Sequence, residues 1–478
     1  MIALYVVLGV IFLLLAALVV RTLLFKPLPE PTVEKEQLNV NVDKAAHDLS
    51  EMVKCKTISH RERDKEDDSE FERFISILPE MFPLIYENCT FERVSDRAIL
   101  YRLKGRSSEK PTVLTAHFDV VDVEEKDWDK APFCGEIENG VLWGRGSIDT
   151  KATLNASMQA LEHLLARGFV PENDIYLAFS GNEEINGEGQ PRIIKLFNER
   201  KIVPALVLDE GGAVVNHVFP GVHVPCALIG IAEKGMLNVE LKFTGKGGHS
   251  SSPKPHTPVG RLAAACVRIE KHPFKYTLSA PAAAMFNKLA RHSNFLYKMI
   301  FANLWLFAPA LSLIGKLSGG ELNALIRTTC AFTQMEGSKG INVIPPNATM
   351  CANLRLIPGE TRDSAEKYLR SLIKDPDIQL TVLESENPSP VSVIGGEAWD
   401  KITYAVKGTW DDTLVSPYLM FACSDAKHWS KISDKVYRFS AMALTSEERG
   451  TIHGNNERIP LDTIKKSVEF YIRLIKKC

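Results

Sequence analysis

Two adjacent glutamates, Glu183 and Glu184, stand where the apolar run 176–180 ends. Further acids and histidines are spread along the chain, most of them where an apolar run gives way to a loop: His117, Asp119, Asp149, Asp209 and His453. Imidazole and carboxylate groups without a nearby cysteine are the ligands that suit catalytic zinc and its divalent substitutes. A neighbouring carboxylate that is not a ligand can take and return a proton. These residue types therefore predict a metal centre with its own general base.

The runs that precede these residues have the pattern of strands in an α/β sheet. Residues 111–116 read as a buried strand before His117, residues 142–146 lead to Asp149, and residues 205–208 lead to Asp209. Open α/β sheets bind ligands at the carboxyl ends of their strands, so we expect these side chains to converge. A strand-end aspartate taken singly is usually a helix cap or a solvated loop residue, and only the whole series favours a metal site.

The motifs around these residues occur in a recognisable order. They are H-x-D at 117–119, G-R-G-x-x-D at 144–149, E-E at 183–184, D-E-G-G at 209–212, G-G-H-S at 247–250, N-x-R at 353–355 and H-G-x-N-E at 453–457. In this order the chain resembles the M20 family of dinuclear zinc peptidases and amidohydrolases over about residues 45–475. Asn182 stands where that family usually has an aspartate, a departure outside the ligands.

The resemblance assigns a role to each residue of the series. It implies two zinc ions, for which Co²⁺ or Mn²⁺ can substitute, held by five side chains: His117 and Asp209 on one ion, Glu184 and His453 on the other, and Asp149 between them. Glu183 is then free to act as the general base, because it is not a ligand. Asp119 lies two residues beyond His117, on the same side of an extended segment, and can accept the second ring N–H of that ligand.

Three further residues are expected to contact the substrate. His249 lies in a glycine-rich turn, where an imidazole can stabilise the oxyanion of a tetrahedral intermediate. Arg355 lies on a predicted strand, where its guanidinium can bind a carboxylate through two hydrogen bonds. Asn342 is a candidate for contacting the amide oxygen, although an asparagine in a turn more often caps the local backbone. A satisfied polar residue is the alternative for His249, and a surface ion pair is the alternative for Arg355.

Composition indicates a globular protein of more than one domain. The chain has 478 residues, of which 45% are hydrophobic and 24% charged. The formal net charge of −2 argues against nucleic acid as a partner. Nine cysteines, scattered from Cys55 to Cys478 without a C-x-x-C pair, predict neither a zinc–thiolate site nor a dense disulfide framework.

The N-terminus predicts a membrane anchor. Residues 2–20 carry no charge, and at the rise of a helix this length spans the hydrocarbon core of a bilayer. We therefore assign residues 1–26 to a transmembrane helix and the proline-containing residues 27–44 to a stiff tether. A secretory signal peptide, with release of the enzyme after cleavage, is the alternative. Two basic residues, Arg21 and Lys26, do not decide the side of the membrane.

The remaining chain is predicted to form an α/β catalytic domain with an inserted lid. Alternating strand and helix patterns at 45–232 indicate a mostly parallel sheet with helices on both faces, which residues 388–478 complete. Residues 233–387 between these parts show the order βαββαβ of a ferredoxin-like α+β domain, the lid of the resembled family. A homodimer through this lid is left open, as is whether His249 acts in its own or in a partner subunit.

An apolar stretch near 283–316 enlarges the lid region. Its large apolar residues follow helical spacing with few charges, which is typical of a packed lid core or a dimer contact. The alternative is a surface that admits a fatty acyl chain or lies on a bilayer, with Phe295, Met299, Trp305 and Phe307 lining the acyl path. Similar enlarged lids occur in carboxypeptidase S and in the N-fatty-acyl-amino-acid hydrolase/synthase branch, which the chain resembles most.

These expectations combine into one hydrolytic reaction. We expect cleavage of the amide bond next to a free amino-acid carboxylate in a small molecule or short peptide, with N-acyl amino acids favoured slightly and reversal open. A carboxypeptidase or dipeptidase acting on short peptides is the alternative. A third reading is an inert scaffold of the same fold, against which the complete ligand set and the intact Glu183 speak.

Overall fold

The N-terminal apolar segment forms a single long helix, α1 (Ile2–Leu24). The computed structural model describes residues 1–34 and 36–478. Within these residues, α1 is the one helix that is by itself long and apolar enough to cross a membrane. Leu18 and Thr22 near its C-terminal end are buried, whereas most of the helix is exposed. The predicted helix therefore extends away from the rest of the protein except at that end.

The segment after α1 lies on the enzyme surface, although its prolines predict a stiff spacer. The Glu30 carboxylate is 2.6 Å from Lys288 Nζ and also pairs with Lys407. Leu38 and Val40 pack against the main hydrophobic core. Glu30 follows the end of α1 closely, so its ion pairs restrict where α1 can lie on the protein.

The first part of the catalytic domain alternates helices and strands. Its elements are α2 (Val42–Val53), α3 (Asp68–Met81), α4 (Pro83–Asn88), β1 (Thr90–Ser95), β2 (Ala98–Leu103), β3 (Ser107–His117), β4 (Ile137–Glu138), β5 (Val141–Trp143), α5 (Lys151–Leu165), β6 (Asn173–Ser180), α6 (Gly189–Glu199), β7 (Leu206–Val215) and β8 (Cys226–Glu233). Side-chain caps start two of the helices, with Asn41 accepting from Lys44 N and Asp67 from Ser69 N. Short 3₁₀ turns lie at Arg63–Lys65 and Glu125–Asp127.

The middle of the chain contains the lid and the apolar helices that interrupt it. Its elements are β9 (Gly235–Thr244), β10 (Gly248–His249), α7 (Pro258–Lys271), α8 (Ala280–Ala290), α9 (Phe295–Ala302), α10 (Leu304–Ser318), α11 (Gly320–Ile326), β11 (Thr329–Glu336), β12 (Val343–Ile344), β13 (Asn347–Leu356), α12 (Arg362–Ile373) and β14 (Ile378–Glu386). The last part returns to the catalytic domain with α13 (Gly396–Thr409), β15 (Leu414–Met420), α14 (Ala426–Trp429), β16 (Val436–Ala443), α15 (Ser446–Gly450), β17 (Arg458–Pro460) and α16 (Leu461–Ile475).

The central sheet has eight strands in the order β1-β2-β6-β3-β7-β16-β8-β15. The pairs β6–β3, β3–β7, β7–β16 and β8–β15 are parallel. Alternate side chains of the same strands enter two different clusters. Leu114 and Leu177 face the large cluster with α5 and α16, whereas Val113 and Tyr176 face a smaller one with α6 and Trp429. Helices therefore cover both faces of a mostly parallel sheet, and the predicted fold class is confirmed.

The lid is a four-stranded antiparallel sheet with the order β11-β13-β9-β14. Strand β9 alternates between buried and half-buried positions along its length, as its sequence predicts for a sheet with one covered face. Helices α7 and α12 cover that face, with Leu262 and Leu369 buried against the strands. This is the ferredoxin-like arrangement expected from the order βαββαβ.

The apolar helices α8–α11 belong in space to the catalytic domain, although in sequence they interrupt the lid. Met285, Phe286 and Leu311 are part of the large catalytic core cluster and not of the lid cluster. The Phe286 and Phe301 rings pack at a tilt against each other and against Phe219, which follows β7. The expectation of an enlarged lid core was therefore wrong for this segment, because its apolar face is buried against the sheet domain.

Candidate metal centre

Residues at the ends of three neighbouring strands converge at one edge of the central sheet. His117 is the last residue of β3, the glutamate pair follows β6, and Glu210 lies just beyond the part of β7 that pairs with β3. The antiparallel pairing of β17 with β5 brings the loop that carries His453 beside the loop that carries Asp149. The carboxyl edge of the sheet is the place where an α/β protein is expected to bind its ligand.

Asp149 lies between the two histidines. Its Oδ1 is 3.1 Å from His117 Nε2, and its Oδ2 is 3.0 Å from His453 Nε2. Each carboxylate oxygen thus faces a different imidazole, which is the arrangement of a carboxylate that bridges two cations. The bridging position given to Asp149 by the resemblance has this geometry.

The two glutamates of the pair face different histidines. Glu184 Oε2 lies 3.1 Å from His453 Nε2, whereas Glu183 Oε2 lies 4.0 Å from His117 Nε2. The His117, Asp149 and Glu184 side chains place one potential ligand atom each within 4.8 Å of one another. His117, Glu183 and Glu210 form a second such group.

The family resemblance implies that Asp209 lies beside His117, but in the structure Glu210 lies there. Glu210 Oε1 is 3.3 Å from His117 Nε2, and no ion pair joins Asp209 to either histidine in the described part of the chain. The Asp209 carboxylate points the other way, where Ser424 and Asp425 lie near it. Successive side chains of a strand face opposite sides, so only one of the two acids can reach the metal centre.

Asp119 positions the glutamate pair. Its two carboxylate oxygens accept the backbone N–H groups of Glu183 and Glu184, each at 3.1 Å, and Oδ2 also accepts the Ser59 hydroxyl at 2.7 Å. His117 Nδ1 lies 3.0 Å from the Asp119 carbonyl oxygen and 3.4 Å from Oδ1. The fully buried Asp119 therefore contacts the first histidine and also fixes the turn that carries both glutamates.

A buried ion pair that the sequence reasoning missed supports Asp149. Arg145 Nη1 donates to Glu457 Oε2 at 2.8 Å, and both side chains are almost completely buried. The same carboxylate accepts the backbone N–H groups of Gly146, Ile148 and Asp149. Both residues stand inside the quoted G-R-G-x-x-D and H-G-x-N-E motifs, and that was the available signal.

The electrostatics of the centre favour a cation. Burial raises the pKa of Glu183 well above its usual range and that of Glu210 to about 8. Burial alone would lower the pKa of His117, but the charge of Glu210 and hydrogen bonds to Asp119 and Asp149 raise it well above its usual value. Hydrogen bonds to Asp149 and Glu184 raise the pKa of His453 to about 10. The raised pKa values of the two histidines reflect the surrounding carboxylates, whose negative charge a divalent cation would neutralise.

A cleft of about 620 Å³ opens over the metal centre. Arg355 on β13 of the lid lines it together with Asp149, Glu183 and His453. The Arg355 guanidinium donates to Asn353 Oδ1 at 3.3 Å and to Cys423 Sγ at 3.4 Å. Since no carboxylate pairs with Arg355 among the residues that the structure describes, its charge is available to a ligand in the cleft.

His249 and Asn342 lie outside this cleft. They sit on the two-stranded ribbon of β10 and β12, where Ser250 N donates to the Asn342 carbonyl oxygen at 3.1 Å. The His249 ring is exposed and accepts from the Ser251 backbone N–H at 3.1 Å. Neither side chain is among those that line the cleft, so within one chain the structure does not bring them to the metal centre.

A second, largely apolar cavity of about 820 Å³ adjoins the cleft. The two share Leu444 and Arg449 in their walls. About half of the cavity wall comes from α8–α11, including Phe286, Tyr297 and Phe307. An apolar space of this size beside a polar reaction site is the shape of a pocket for an extended hydrophobic group.

Of the four residues proposed for an acyl path, only Phe307 lines this cavity. Phe295 and Trp305 are 52% and 58% exposed on the outer side of the helices. Met299 is half-buried and is not in the wall of the cavity. The sequence located the segment but not the lining face, because large apolar residues occur on both faces of α9 and α10.

Similarity to known proteins agrees with this geometry. The model of peptidase family M20/M25/M40 matches residues 113–477. Probable carboxypeptidase S-like 2 of Dictyostelium discoideum is 33% identical over 439 residues, covering 90% of this chain and 84% of that protein. N-fatty-acyl-amino acid synthase/hydrolase PM20D1 of Xenopus tropicalis is 33% identical over 434 residues, again covering 90% of this chain and 84% of that protein.

Two solved structures share the fold. The M20 family metallo-carboxypeptidase Sso-CP2 from Sulfolobus solfataricus superposes with a TM-score of 0.67 at 19% identity, covering 90% of this chain and 98% of the other. Human carnosine dipeptidase 1 superposes with a TM-score of 0.65 at 14% identity, covering 91% and 96%.

Proposed function

Since the chain belongs to peptidase family M20/M25/M40 and is a hydrolase, we propose that it cleaves the amide bond of N-acyl amino acids with long acyl chains. The observation that carries this choice of substrate is the apolar cavity of about 820 Å³ that adjoins the metal cleft. The relative in Xenopus is named as an N-fatty-acyl-amino acid synthase/hydrolase, which supports the same choice. An enzyme of this family uses a divalent metal ion, so the reading of the chain as an inert scaffold is set aside.

The side chains of the site fit two divalent cations. We propose zinc, with Co²⁺ or Mn²⁺ as substitutes, because imidazole and carboxylate donors suit these ions. His117 and Glu210 would hold one ion, Glu184 and His453 the other, and Asp149 would bridge them, since each of its oxygens faces one histidine. Glu210 replaces Asp209 in this set for the geometric reason given above.

Two side chains have separate roles in the proposed reaction. Glu183 transfers a proton, and Arg355 binds the carboxylate of the substrate. Bound divalent ions would polarise the scissile carbonyl and make the attacking water more acidic. Glu183 takes a proton from that water and returns it to the leaving nitrogen, giving a carboxylic acid and a free amino acid. Asp119 holds Glu183 in place through its backbone N–H. Arg355 binds the carboxylate of the amino-acid part.

The Arg355 assignment predicts a substrate-dependent defect. Arg355→Ala should lower kcat/KM for N-acyl amino acids roughly 10- to 150-fold, because a charge-assisted hydrogen bond contributes about 1.5–3 kcal/mol. The matching methyl amides, which lack the carboxylate, should lose little. Arg355→Lys should not restore the rate, since a single ammonium cannot make the paired contact. Equal losses for acid and amide substrates would place Arg355 outside the carboxylate pocket.

Chain-length dependence tests the choice of substrate. In detergent solution, Phe307→Ser should lower kcat/KM for a long-chain N-acyl amino acid roughly tenfold or more, because a buried aromatic side chain contributes about 1.5–3 kcal/mol of contact. The N-acetyl substrate should be nearly unaffected. Phe295→Ser is the matched control, because Phe295 is 52% exposed and outside the cavity.

Two results would contradict the acyl pocket. One is an unchanged preference for long chains in a stable Phe307→Ser protein. The other is faster turnover of dipeptides than of any N-acyl amino acid by the wild-type enzyme. That second result would favour a carboxypeptidase acting on short peptides, which the name of the Dictyostelium relative supports.

Two further parts of the proposal concern the lid and the membrane. His249 and Asn342 can join the reaction only by a movement of their ribbon or from the lid of a second copy, since both lie outside the cleft of their own chain.

The α1 helix is proposed as a retained anchor. Asn303, which is fully buried, donates to the Leu18 carbonyl and the Thr22 hydroxyl oxygen and accepts from Arg21 Nε at 3.1 Å. Loss of α1 after cleavage would remove the hydrogen bonds of Asn303 to Leu18, Arg21 and Thr22 and leave this buried side chain with the Met299 carbonyl oxygen as its partner.

A further inference from the structure

Helices α9 and α10 form a bent apolar hairpin that docks against the anchor. The two helices meet at Asn303 with an angle of 106° between them. Asn303 lies at the bend and contacts Leu18 and Thr22 of α1 through its side-chain amide. The Arg21 guanidinium also donates to the Ala302 carbonyl oxygen at 3.2 Å. The hairpin and the last turns of α1 are therefore one continuous body.

The outer face of the hairpin is apolar and exposed. Leu313 is 56% exposed and Leu317 is 77% exposed, and the other large apolar residues of this face are Phe295, Leu296, Trp305 and Leu306. Soluble proteins rarely expose large apolar patches, so these side chains suit an apolar environment. Helix α9 of the hairpin packs against α1, whose length and composition suit a lipid bilayer.

The charges around the hairpin favour an anionic membrane surface. The hairpin residues 295–318 contain no aspartate or glutamate, and their basic residues are Lys298 and Lys316. Lys298 and Lys316 make no ion pair among the residues that the structure describes. Basic residues at the rim of an apolar helical face are typical of segments that lie in the headgroup region.

We propose that the α9–α10 hairpin inserts into the same bilayer leaflet that α1 enters, and that long acyl chains reach the cavity from this leaflet. Ile314 connects the two surfaces, because it lines the apolar cavity and is also 54% exposed on the hairpin. A lipid substrate would then pass from the membrane to the cavity and on to the cleft without crossing water. The acyl part of this inference rests on the proposed reaction, and the insertion of the hairpin rests on the proposed retention of α1 as an anchor.

Lipid photolabelling tests the insertion directly. The full chain is reconstituted in vesicles of phosphatidylcholine and phosphatidylserine that contain a phosphatidylcholine with a diazirine in its acyl chain. After irradiation, peptides are mapped by mass spectrometry. Label is expected in residues 2–24 and also in residues 295–317. Peptides that carry Val170 and Val203, which are 54% and 63% exposed elsewhere on the catalytic domain, serve as negative controls. Label confined to residues 2–24 would overturn the proposal.

A pair of variants tests the route of the substrate. Leu313→Glu/Leu317→Glu places two charges on the exposed face without touching the cavity wall. In vesicles it should lower kcat/KM at least tenfold for a long-chain N-acyl amino acid dissolved in the bilayer and leave soluble N-acetyl substrate unchanged. Val170→Glu/Val203→Glu is the matched control and should change neither rate. Unchanged turnover of the bilayer substrate in the hairpin variant would overturn entry from the membrane. If the wild-type enzyme hydrolyses no long-chain substrate, the proposed function fails while the labelling result stands.

Discussion

Replacing Glu183 with glutamine is expected to lower kcat by about 10²–10⁴-fold, because transfer of a proton by a positioned side chain contributes this factor. The amide keeps the size of the side chain but cannot take the proton of the attacking water. Metal content should stay at the wild-type value, since Glu183 is the acid of the cluster that is proposed not to be a ligand. Steady-state kinetics and elemental analysis on the same preparation measure both quantities.

The control for this variant is Glu199→Gln, which removes an exposed glutamate at the end of α6 and should leave kcat unchanged. Activity of Glu183→Gln within tenfold of wild type would refute the role of Glu183 as base. Loss of metal together with activity would instead make Glu183 a ligand, since His117, Glu183 and Glu210 also form a group that could hold an ion.

The fold was predictable because its signals are local and repeated. Apolar runs 111–116, 176–180 and 205–208 are each followed closely by a histidine or by acidic residues, and parallel strands bring such segments to one edge. The alternating pattern of β9 likewise identifies a strand with one covered face. Neither inference requires knowledge of contacts between distant parts of the chain.

The choice between Asp209 and Glu210 could not be made from the sequence. Strand β7 pairs with β16 in register at Asp209, opposite Arg438, but the next pair is Gly212 with Phe439. Within the described strands, Glu210 and Gly211 of β7 therefore have no pairing partner on β16, because Arg438 and Phe439 are neighbours in sequence. The simple alternation of side chains then no longer predicts which side of the sheet each residue faces. An irregularity of this kind depends on the partner strand, which is more than 200 residues away.

The placement of the apolar helices depends on tertiary contacts in the same way. Helical spacing at 283–316 predicts helices but not the body against which they pack, because the lid cluster and the catalytic cluster are both apolar. Phe219, which follows β7, packs against Phe286 and Phe301 and is one of the residues that join these helices to the catalytic cluster. The motifs contain both Arg145 and Glu457, but that these two residues pair with each other is seen only in the folded chain.

Glu210→Gln is expected to remove about half of the bound metal and to lower kcat/KM by on the order of 10²–10³-fold, because the loss of one cation removes several kcal/mol of charge stabilisation in the transition state. The reason is geometric. Glu210 Oε1 is 3.3 Å from His117 Nε2 and lines the cleft, so its charge completes the ligand set of the first ion. Metal content per chain, measured after dialysis against a weak chelator, gives the primary result.

Asp209→Asn is the matched control, because it changes the adjacent acid by the same single charge. Asp209 is buried but does not line the cleft, and its Oδ2 has no hydrogen-bond partner in the described part of the chain. The variant should keep its metal and most of its activity, and any loss should be seen in thermal stability. The reverse outcome, with metal lost in Asp209→Asn and kept in Glu210→Gln, would mean that β7 places Asp209 at the ion. The ligand set would then be the one that the family resemblance implies.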